Sequence, residues 1–128
     1  MKTFIVIATY NEKENIGLLI DEILALAILD LEIIVVDDNS PDGTASIVRQ
    51  KENPKVHLVS RTKERGYGSA HIAGFLIAIS KGADIVISMD ADFSHQPLVI
   101  PAMIEQIKAG YQVVVGSRRV AGGEIVGW

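Results

Sequence analysis

The sequence has no cysteine and no excess of basic residues. Without thiols, the chain cannot form a disulfide scaffold, a zinc–thiolate site or a cysteine nucleophile. Its 12 Lys and Arg residues are outnumbered by 16 Asp and Glu residues, which gives a formal net charge of −4. Because a nucleic-acid-binding module needs a strongly basic face, this balance argues against nucleic acid as a partner.

Long hydrophobic runs are also missing, although the mean hydropathy of +0.29 is high. The longest uninterrupted apolar run covers residues 23–29, and acidic residues flank it on both sides. A membrane-spanning helix needs about 20 apolar residues, so no transmembrane segment is predicted. The first residues lead directly into a strand-like run and lack the regions of a signal peptide. We therefore expect a cytoplasmic chain whose apolar residues form the core of a single domain, residues 1–128.

Short apolar runs rich in β-branched residues predict five strands. These are Phe4–Ala8, Glu32–Val36, Val56–Val59, Ile85–Met89 and Gln112–Val115. Most of the runs are continuous rather than alternating, which is typical of parallel strands covered on both faces.

Segments with helical periodicity separate these strands. Four helices are predicted. The first begins near the cap residue Asn11, and the second spans Thr44 to Glu52. The third spans Ser69 to Lys81 with Gly82 as C-cap, and the fourth runs from Pro97 to Gly110. The third is predicted to bury Ile72, Phe75, Leu76 and Ile79. The alternation predicts an α/β fold, with an open, mostly parallel, Rossmann-like sheet and helices on both faces.

Charged residues are concentrated directly after the predicted strands, where open α/β sheets bind their ligands. Acidic pairs follow the second and fourth strands, and arginines follow the third and fifth. Because the carboxyl ends of parallel strands meet at one edge, these residues are expected to lie together.

The triplet Asp90-Ala91-Asp92 follows the fourth strand. Residues i and i+2 of a strand point the same way, so both carboxylates are expected to face one ion, which relieves the repulsion between them. A hard cation held by one or two carboxylates and by substrate phosphates is typical of Mg²⁺, and Mn²⁺ is also compatible. We therefore predict Asp90 and Asp92 as metal ligands, although one Asp could instead cap a turn.

Asp37 and Asp38 follow the second strand. Turn chemistry involving Asn39, Ser40 and Pro41 accounts for part of this segment. We expect one of the two acids to contact a ligand, such as a base or a ribose, and the other to be structural.

Other charged groups allow more than one role. At least one of Arg118 and Arg119 is expected to pair with a carboxylate or to bind a phosphate. His57 is expected to be structural, and His71 to be exposed on the third helix. His95, beside the acidic triplet, could be a ligand or a phosphate donor.

Two other classes of α/β protein fit poorly. A dinucleotide-dependent oxidoreductase would carry a glycine-rich Gly-x-Gly-x-x-Gly turn after the first strand, and residues 8–13 contain no glycine. A phosphoacceptor signalling domain would place its acids after strands 1 and 3. A nucleotide-sugar-binding domain, with a base site on the first two strands and a DxD triplet after the fourth, fits this chain.

The sequence resembles the dolichol-phosphate (polyprenol-phosphate) mannosyltransferases, inverting family 2 glycosyltransferases with a GT-A fold. The matching segments are Ala-Thr-Tyr-Asn-Glu-Lys-Glu-Asn (8–15), Val-Val-Asp-Asp-Asn-Ser-Pro-Asp-Gly-Thr (35–44), Gly-Tyr-Gly-Ser-Ala (66–70), Asp-Ala-Asp-Phe-Ser-His-Gln-Pro (90–97), Gly-Ser-Arg-Arg-Val-Ala-Gly-Gly (116–123) and Gly-Trp (127–128). They agree in order and spacing over nearly the whole chain.

The resemblance implies roles for individual residues. Those implied to contact the nucleotide-sugar are Ala8, Tyr10, Glu12, Val36, Asp38, Asp90, Ala91, Asp92 and Arg118. Val36 and Asp38 would line the guanosine site, and Asp90, Ala91 and Asp92 would hold Mg²⁺ or Mn²⁺ against the diphosphate. Asp92 and Arg118 would act in catalysis, with Arg118 on a phosphate. Ala8 stands where the family usually has proline, which should alter loop rigidity more than chemistry.

The implied reaction transfers mannose from GDP-mannose to a polyprenyl or dolichyl phosphate with inversion at the anomeric carbon. The acceptor would bring the chain to the cytoplasmic face of a membrane as a peripheral protein. Family members continue well beyond the Gly-Trp, so we expect this chain to hold the donor-binding half and to lack much of the acceptor half. A second chain or a homo-oligomer could complete that side. A non-catalytic nucleotide-sugar-binding module and a related UDP-glucose transferase remain alternatives.

Overall fold

The computed structural model describes residues 1–62, 67–92, 96–108, 114–117 and 124–127. Its elements are β1 (Thr3–Thr9), α1 (Ile16–Ala25), β2 (Leu31–Asp37), α2 (Thr44–Gln50), β3 (Val56–Ser60), α3 (Tyr67–Ser80), β4 (Ile85–Asp90), α4 (Val99–Lys108), β5 (Val114–Ser117) and β6 (Glu124–Gly127). Within these ranges, no helix has the length and apolar character required to cross a bilayer.

The first four strands form one parallel sheet in the order β3-β2-β1-β4. The chain moves outward from β1 to β2 and β3, and then returns to the other side of β1 to form β4. Strand order therefore reverses between β1 and β4, and the carboxyl ends of these two strands border the crevice in which open α/β sheets bind ligands. The predicted α/β architecture with a parallel sheet is confirmed.

The prediction that the fifth strand belongs to the parallel sheet is wrong. β5 pairs antiparallel with β6, with Val115 opposite Val126, in a separate two-stranded sheet. Only six residues connect the two strands, and a parallel pairing would need a crossover of a dozen residues or more. The short connection therefore permits only the antiparallel arrangement.

The sheet is covered on both faces, as predicted. Residues of α1, α2 and α4 pack with Ile5, Ile7, Ile33 and Val35 on one face. α3 packs on the other, against Phe4, Val6, Ala8, Ile34 and Val36. Because β1 and β2 are buried on both sides, their apolar runs are continuous rather than alternating.

The predicted buried face of α3 is wrong. Ile72, Leu76 and Ile79 are 59%, 63% and 64% exposed, and of the four predicted residues only Phe75 is partly buried. The side against the sheet carries small residues, Ala70, Gly74 and Ala78. A Cβ atom at Gly74 would lie 2.3 Å from Val6 Cγ1, so the helix lies too close to β1 for large side chains to fit between them.

The start of α1 also differs from the prediction. The helix begins at Ile16, with Asn15 at the cap position and no side-chain cap hydrogen bond, rather than near Asn11. Asn11 has a φ of 55°, in the left-handed region, which interrupts a helical path. The other helices follow the prediction closely: α2 and α4 lie within their predicted segments, and Gly82, with a φ of +85°, ends α3 as expected.

Candidate functional site

Three of the predicted site residues lie side by side in the sheet. Ala8 of β1 is in register with Val36 of β2 on one side and with Asp90 of β4 on the other. Ala8 and Val36 belong to the cluster packed under α3, and strand alternation places Asp90 on the same face as Val86 of that cluster. This row crosses the point where strand order reverses, so the site lies at the carboxyl edge on the α3 side.

The turn after β1 is held by side chains of the β2–α2 loop. The backbone N–H of Asn11 donates to Ser40 Oγ at 2.9 Å, that of Glu12 to Thr44 Oγ1 at 3.0 Å, and that of Lys13 to Asp42 Oδ2 at 3.1 Å. Three consecutive donors are thus satisfied without a helix, which accounts for the late start of α1. The turn presents Tyr10, 46% exposed, and Glu12, half-buried, at the edge of the site.

Asp42 organises the same loop. It accepts hydrogen bonds from the Thr44 hydroxyl and, at 3.0 Å, from the Thr44 backbone N–H. The Thr44 hydroxyl lowers the pKa of the Asp42 carboxyl below its usual value, with further help from the backbone N–H groups of Lys13 and Thr44. Gly43 has a φ of +93°, which glycine tolerates without strain, and so lets the chain turn into α2.

Of Asp37, the last residue of β2, and Asp38, which follows it, Asp37 makes the structural contacts. Its Oδ1 accepts a hydrogen bond from Thr9 Oγ1 at 2.8 Å and one from Ser40 Oγ at 2.6 Å, and its Oδ2 accepts from the Ser40 backbone at 3.0 Å. The residue is 1% exposed. It therefore ties the end of β1 to the β2–α2 loop.

Asp38 is paired with Arg61, the first residue after β3. Arg61 Nε lies 2.7 Å from Asp38 Oδ1, and Arg61 Nη2 lies 2.9 Å from Oδ2. The same Nη2 donates to Ser69 Oγ at 3.1 Å, in the first turn of α3. The ion pair thus joins the ends of two strands to the helix that covers the site.

The acidic triplet lies where β4 ends. Asp90 is the last residue of the strand and is half-buried, Ala91 is 3% exposed, and Asp92 is exposed in the following turn. Since the strand does not continue through Asp92, alternation along a strand does not fix its direction, contrary to the reasoning from sequence. No cluster of three His, Asp or Glu side chains suited to a metal occurs in the described ranges. Two neighbouring carboxylates nevertheless fit a hard cation whose remaining ligands are phosphate oxygens.

The three histidines differ in environment. His71 is half-buried on α3 and stacks on Phe75, with ring centroids 6.1 Å apart, so the expected exposure is wrong. Burial lowers the pKa of His71, and the negative charge of Asp90 opposes this shift. His57 bonds through Nε2 to Glu32 Oε1 at 2.7 Å, in keeping with a structural role. His95 lies outside the described residues.

Two predicted residues, Arg118 and Arg119, also lie outside the described residues. Conversely, the sequence shows Arg61 only as an arginine that follows the third predicted strand. The sequence does contain a signal for the pairing of Arg61 with Asp38. If β2 and β3 are adjacent and parallel, residues of opposite charge at their carboxyl ends are expected to pair. Finding it required the register, in which Asp37 lies opposite Ser60.

The glycosyl transferase family 2 model matches residues 4–128 of the chain. An undecaprenyl-phosphate mannosyltransferase of Micrococcus luteus is 42% identical over 100% of this chain and 53% of its own length. A dolichol-phosphate mannosyltransferase of Pyrococcus furiosus is 45% identical over 100% of this chain and 36% of its own length. The chain thus spans about half, or less, of these relatives.

Among solved structures, the mannosyltransferase PcManGT from Pyrobaculum calidifontis, in complex with GDP-Man and Mn²⁺, is similar with a TM-score of 0.59. It is 32% identical, and the match covers 71% of this chain and 27% of that one. With its parallel sheet, its Asp90-Ala91-Asp92 triplet at the end of β4 and a family match over residues 4–128, the chain belongs to glycosyl transferase family 2.

Proposed function

We propose that this chain binds GDP-mannose with a divalent cation and takes part in the transfer of mannose to a polyprenyl or dolichyl phosphate, with inversion at the anomeric carbon. The observation that carries the proposal is the row of Val36, Ala8 and Asp90 across the reversal of strand order. It puts an apolar strand end next to a carboxylate, which could hold a cation that binds the diphosphate. The mannosyltransferases named above support the choice of sugar.

We assign the nucleoside to the β1–β2 side of the row. Ala8 and Val36 are 4% and 0% exposed in the cluster under α3, so they would support this end of the site from within the core. Tyr10, Glu12 and Asp38 would supply polar contacts to the base and ribose. Asp38 is 6% exposed, so a hydrogen bond to it is shielded from water and contributes more to selectivity than one in solvent.

We assign the diphosphate to the β4 side, where Asp90, Ala91 and Asp92 follow one another at the strand end. Asp90 and Asp92 would hold Mg²⁺ or Mn²⁺, which when bound stabilises the negative charge that develops on the leaving diphosphate. Arg118 is proposed to bind a phosphate of the donor or of the acceptor. These roles make Asp92 and Arg118 the proposed catalytic residues.

The attacking group is an oxygen of the acceptor phosphate. It forms a bond to the anomeric carbon of mannose from the face opposite GDP, and the bond between that carbon and the diphosphate oxygen breaks with its electron pair staying on GDP. A phosphate monoester has a second pKa of about 6, so the nucleophile is already ionised at neutral pH. The chain therefore needs to position the two substrates but needs no strong general base.

The proposal is tested by calorimetry and by a transfer assay on the same preparation. With Mn²⁺ present, we expect GDP-mannose to bind more tightly than UDP-glucose or UDP-GlcNAc, and labelled mannose to pass to a short polyprenyl phosphate. Binding of GDP-mannose without transfer would identify a donor-binding module instead. Preference for UDP-glucose would replace the proposed donor.

A further inference from the structure

We propose that the outer face of α3 is a self-association surface, on which a second copy of this chain docks with its own α3 about a two-fold axis. Three large apolar side chains, Ile72, Leu76 and Ile79, form this surface, and we call them the outer stripe. They lie on the side of the helix that faces away from the sheet, so the role of the stripe does not depend on the proposed function.

The outer stripe takes no part in packing α3 on the sheet. Its three side chains are between 59% and 64% exposed. The opposite side of the helix, where Ala70 and Ala78 are buried and Gly74 lies close to Val6, already fills the space above β1 and β2. A helix that is apolar on all sides is normally buried on all sides. The exposed stripe therefore indicates that a further surface covers it.

The spacing of the outer stripe indicates what kind of surface that is. Its members are four and then three residues apart, which is the spacing of the seam between two packed helices. A seam of this kind is narrower than the apolar face that a helix turns toward a core. The spacing therefore favours another helix as the occupant.

The charge of α3 favours a second copy of this chain as the source of that helix. The chain carries a net charge of −4, yet Tyr67–Ser80 contains no charged residue. In a two-fold interface the same patch faces itself, so charged groups near the axis would meet their own sign. An uncharged helix avoids this repulsion. Helices that bind a bilayer surface instead carry Lys and Arg beside their apolar face, and α3 has neither.

An antiparallel pair of helices uses the outer stripe completely. With Leu76 beside its counterpart at the axis, Ile72 of one copy lies opposite Ile79 of the other. The positive end of each helix dipole then lies beside the negative end of its partner. Because α3 has 14 residues and is about 21 Å long, the contact falls at the low end of interface sizes, below about 1,200 Å². The dimer is therefore weak and reversible.

The first test measures the mass of the full chain by sedimentation velocity over a range of concentrations. We expect reversible dimers with a dissociation constant of roughly 10–500 µM, as suits a small interface. High salt should strengthen association, because it screens the repulsion between two chains of charge −4.

Leu76→Glu should weaken dimerisation by roughly a hundredfold or more, because the dimer loses two buried leucines and gains two carboxylates that face each other. Leu18→Glu is the matched control, since Leu18 is 58% exposed on α1 and the substitution changes the charge equally. Its dissociation constant should stay within about twofold of that of the unmodified chain. Circular dichroism melting checks that both variants fold.

The second test locates the contact by disulfide crosslinking, which needs no disruptive substitution. The chain has no cysteine, so a single introduced thiol has only its counterpart in another copy to pair with. A disulfide requires Cβ atoms within about 4.5 Å of each other. Under mild oxidation, Leu76→Cys should form covalent dimers and Leu18→Cys should not. A mixture of Ile72→Cys and Ile79→Cys chains should crosslink to each other and not to their own kind.

A chain that stays monomeric up to about 1 mM would overturn the proposal, as would dimers that survive in folded Leu76→Glu. Equal crosslinking yields for Leu76→Cys and Leu18→Cys would overturn it even if Leu76→Glu fails to fold. Crosslinks between two Ile72→Cys chains would exclude the antiparallel pair. Monomers that bind phosphatidylcholine vesicles, and lose this binding in Leu76→Glu, would assign the outer stripe to a bilayer instead.

Discussion

Asp37 and Asp38 are neighbours in sequence, yet their side chains serve different purposes. The Asp37 carboxylate accepts hydrogen bonds from Thr9 and Ser40, while Asp38 is paired with Arg61. The sequence predicted that one of the two acids would contact a ligand and that the other would be structural. The family resemblance implied that Asp38 is the one that contacts the ligand. The ion pair between Arg61 and Asp38 could not be predicted, because it depends on which strand lies beside β2.

Asp92 gives the sharpest test at the residue scale. Asn in its place keeps the size of the side chain and removes one negative charge, so the proposed cation loses a ligand that it strongly prefers. We expect Asp92→Asn to abolish the metal-dependent part of GDP binding in calorimetry. Asp30→Asn is the matched control, since Asp30 is exposed and asparagine tolerates its φ of 56°. Unchanged affinity in Asp92→Asn would refute the metal assignment.

Glu32 lies near the amino ends of the strands, away from the proposed site, where it links β2 to its neighbours. It bonds to His57 at 2.7 Å and pairs with Lys2 Nζ at 3.3 Å. The hydrogen bond to His57 lowers the pKa of Glu32 below 4.5, burial opposes this, and Lys2 adds to the lowering.

A lowered pKa in the folded state means that the ionised form stabilises the fold. This contribution is fully present above the unfolded value of 4.5 and is lost as pH falls through the lower folded value. We expect Glu32→Gln to reduce the free energy of unfolding at neutral pH by up to about 1 kcal/mol, because the carboxylate is partly exposed. As pH falls below 4.5, the difference between the two proteins should shrink in urea titrations. An equal difference at pH 7 and pH 3 would contradict the assignment.

At the scale of elements, the hydrophobic pattern predicted where helices and strands lie better than which side of a helix is buried. Short apolar runs rich in β-branched residues predicted the four parallel strands, and the runs are continuous in β1 and β2, where burial on both faces leaves little room for polar residues. The same reasoning failed for α3, where periodic large residues were assigned to the core. The contact at Gly74 decides the orientation, and spacing alone cannot reveal it.

Gly74→Ala tests that contact. The added methyl would meet Val6 Cγ1 at 2.3 Å, so α3 or β1 must shift. We expect a loss of about 1–3 kcal/mol in the free energy of unfolding, the usual cost of overpacking a core. Gly68→Ala is the control in the same helix, because nothing lies within 4 Å of its added methyl. There the better helix propensity of alanine should stabilise the protein by a few tenths of a kcal/mol or more. Equal effects in the two variants would show that the close approach is absent.

At the scale of the whole molecule, the order of the strands in the sheet brings the residues of the candidate site together. Its residues come from positions as distant in sequence as Ala8 and Asp90, and they meet because the chain returns to β1 after β3. The sequence predicted that acids would gather at one edge of the sheet. The prediction for β5 was wrong, because a short apolar run does not indicate which strand it pairs with. The sequence did not predict β6.

A ligand that bridges both ends of this row should stabilise the folded chain as a unit. Binding to the native state alone adds about 2.7 kcal/mol to the free energy of unfolding when the ligand is at one hundred times its dissociation constant. For a chain of this size, such a gain corresponds to a rise in melting temperature of roughly 5–15 °C. We expect GDP and Mn²⁺ together to produce this rise in circular dichroism melting, and EDTA to reverse most of it. The two ligands should act more than additively, because the proposed cation joins the diphosphate to Asp90 and Asp92. Purely additive shifts would place nucleotide and cation at separate sites and would contradict a shared diphosphate–metal centre.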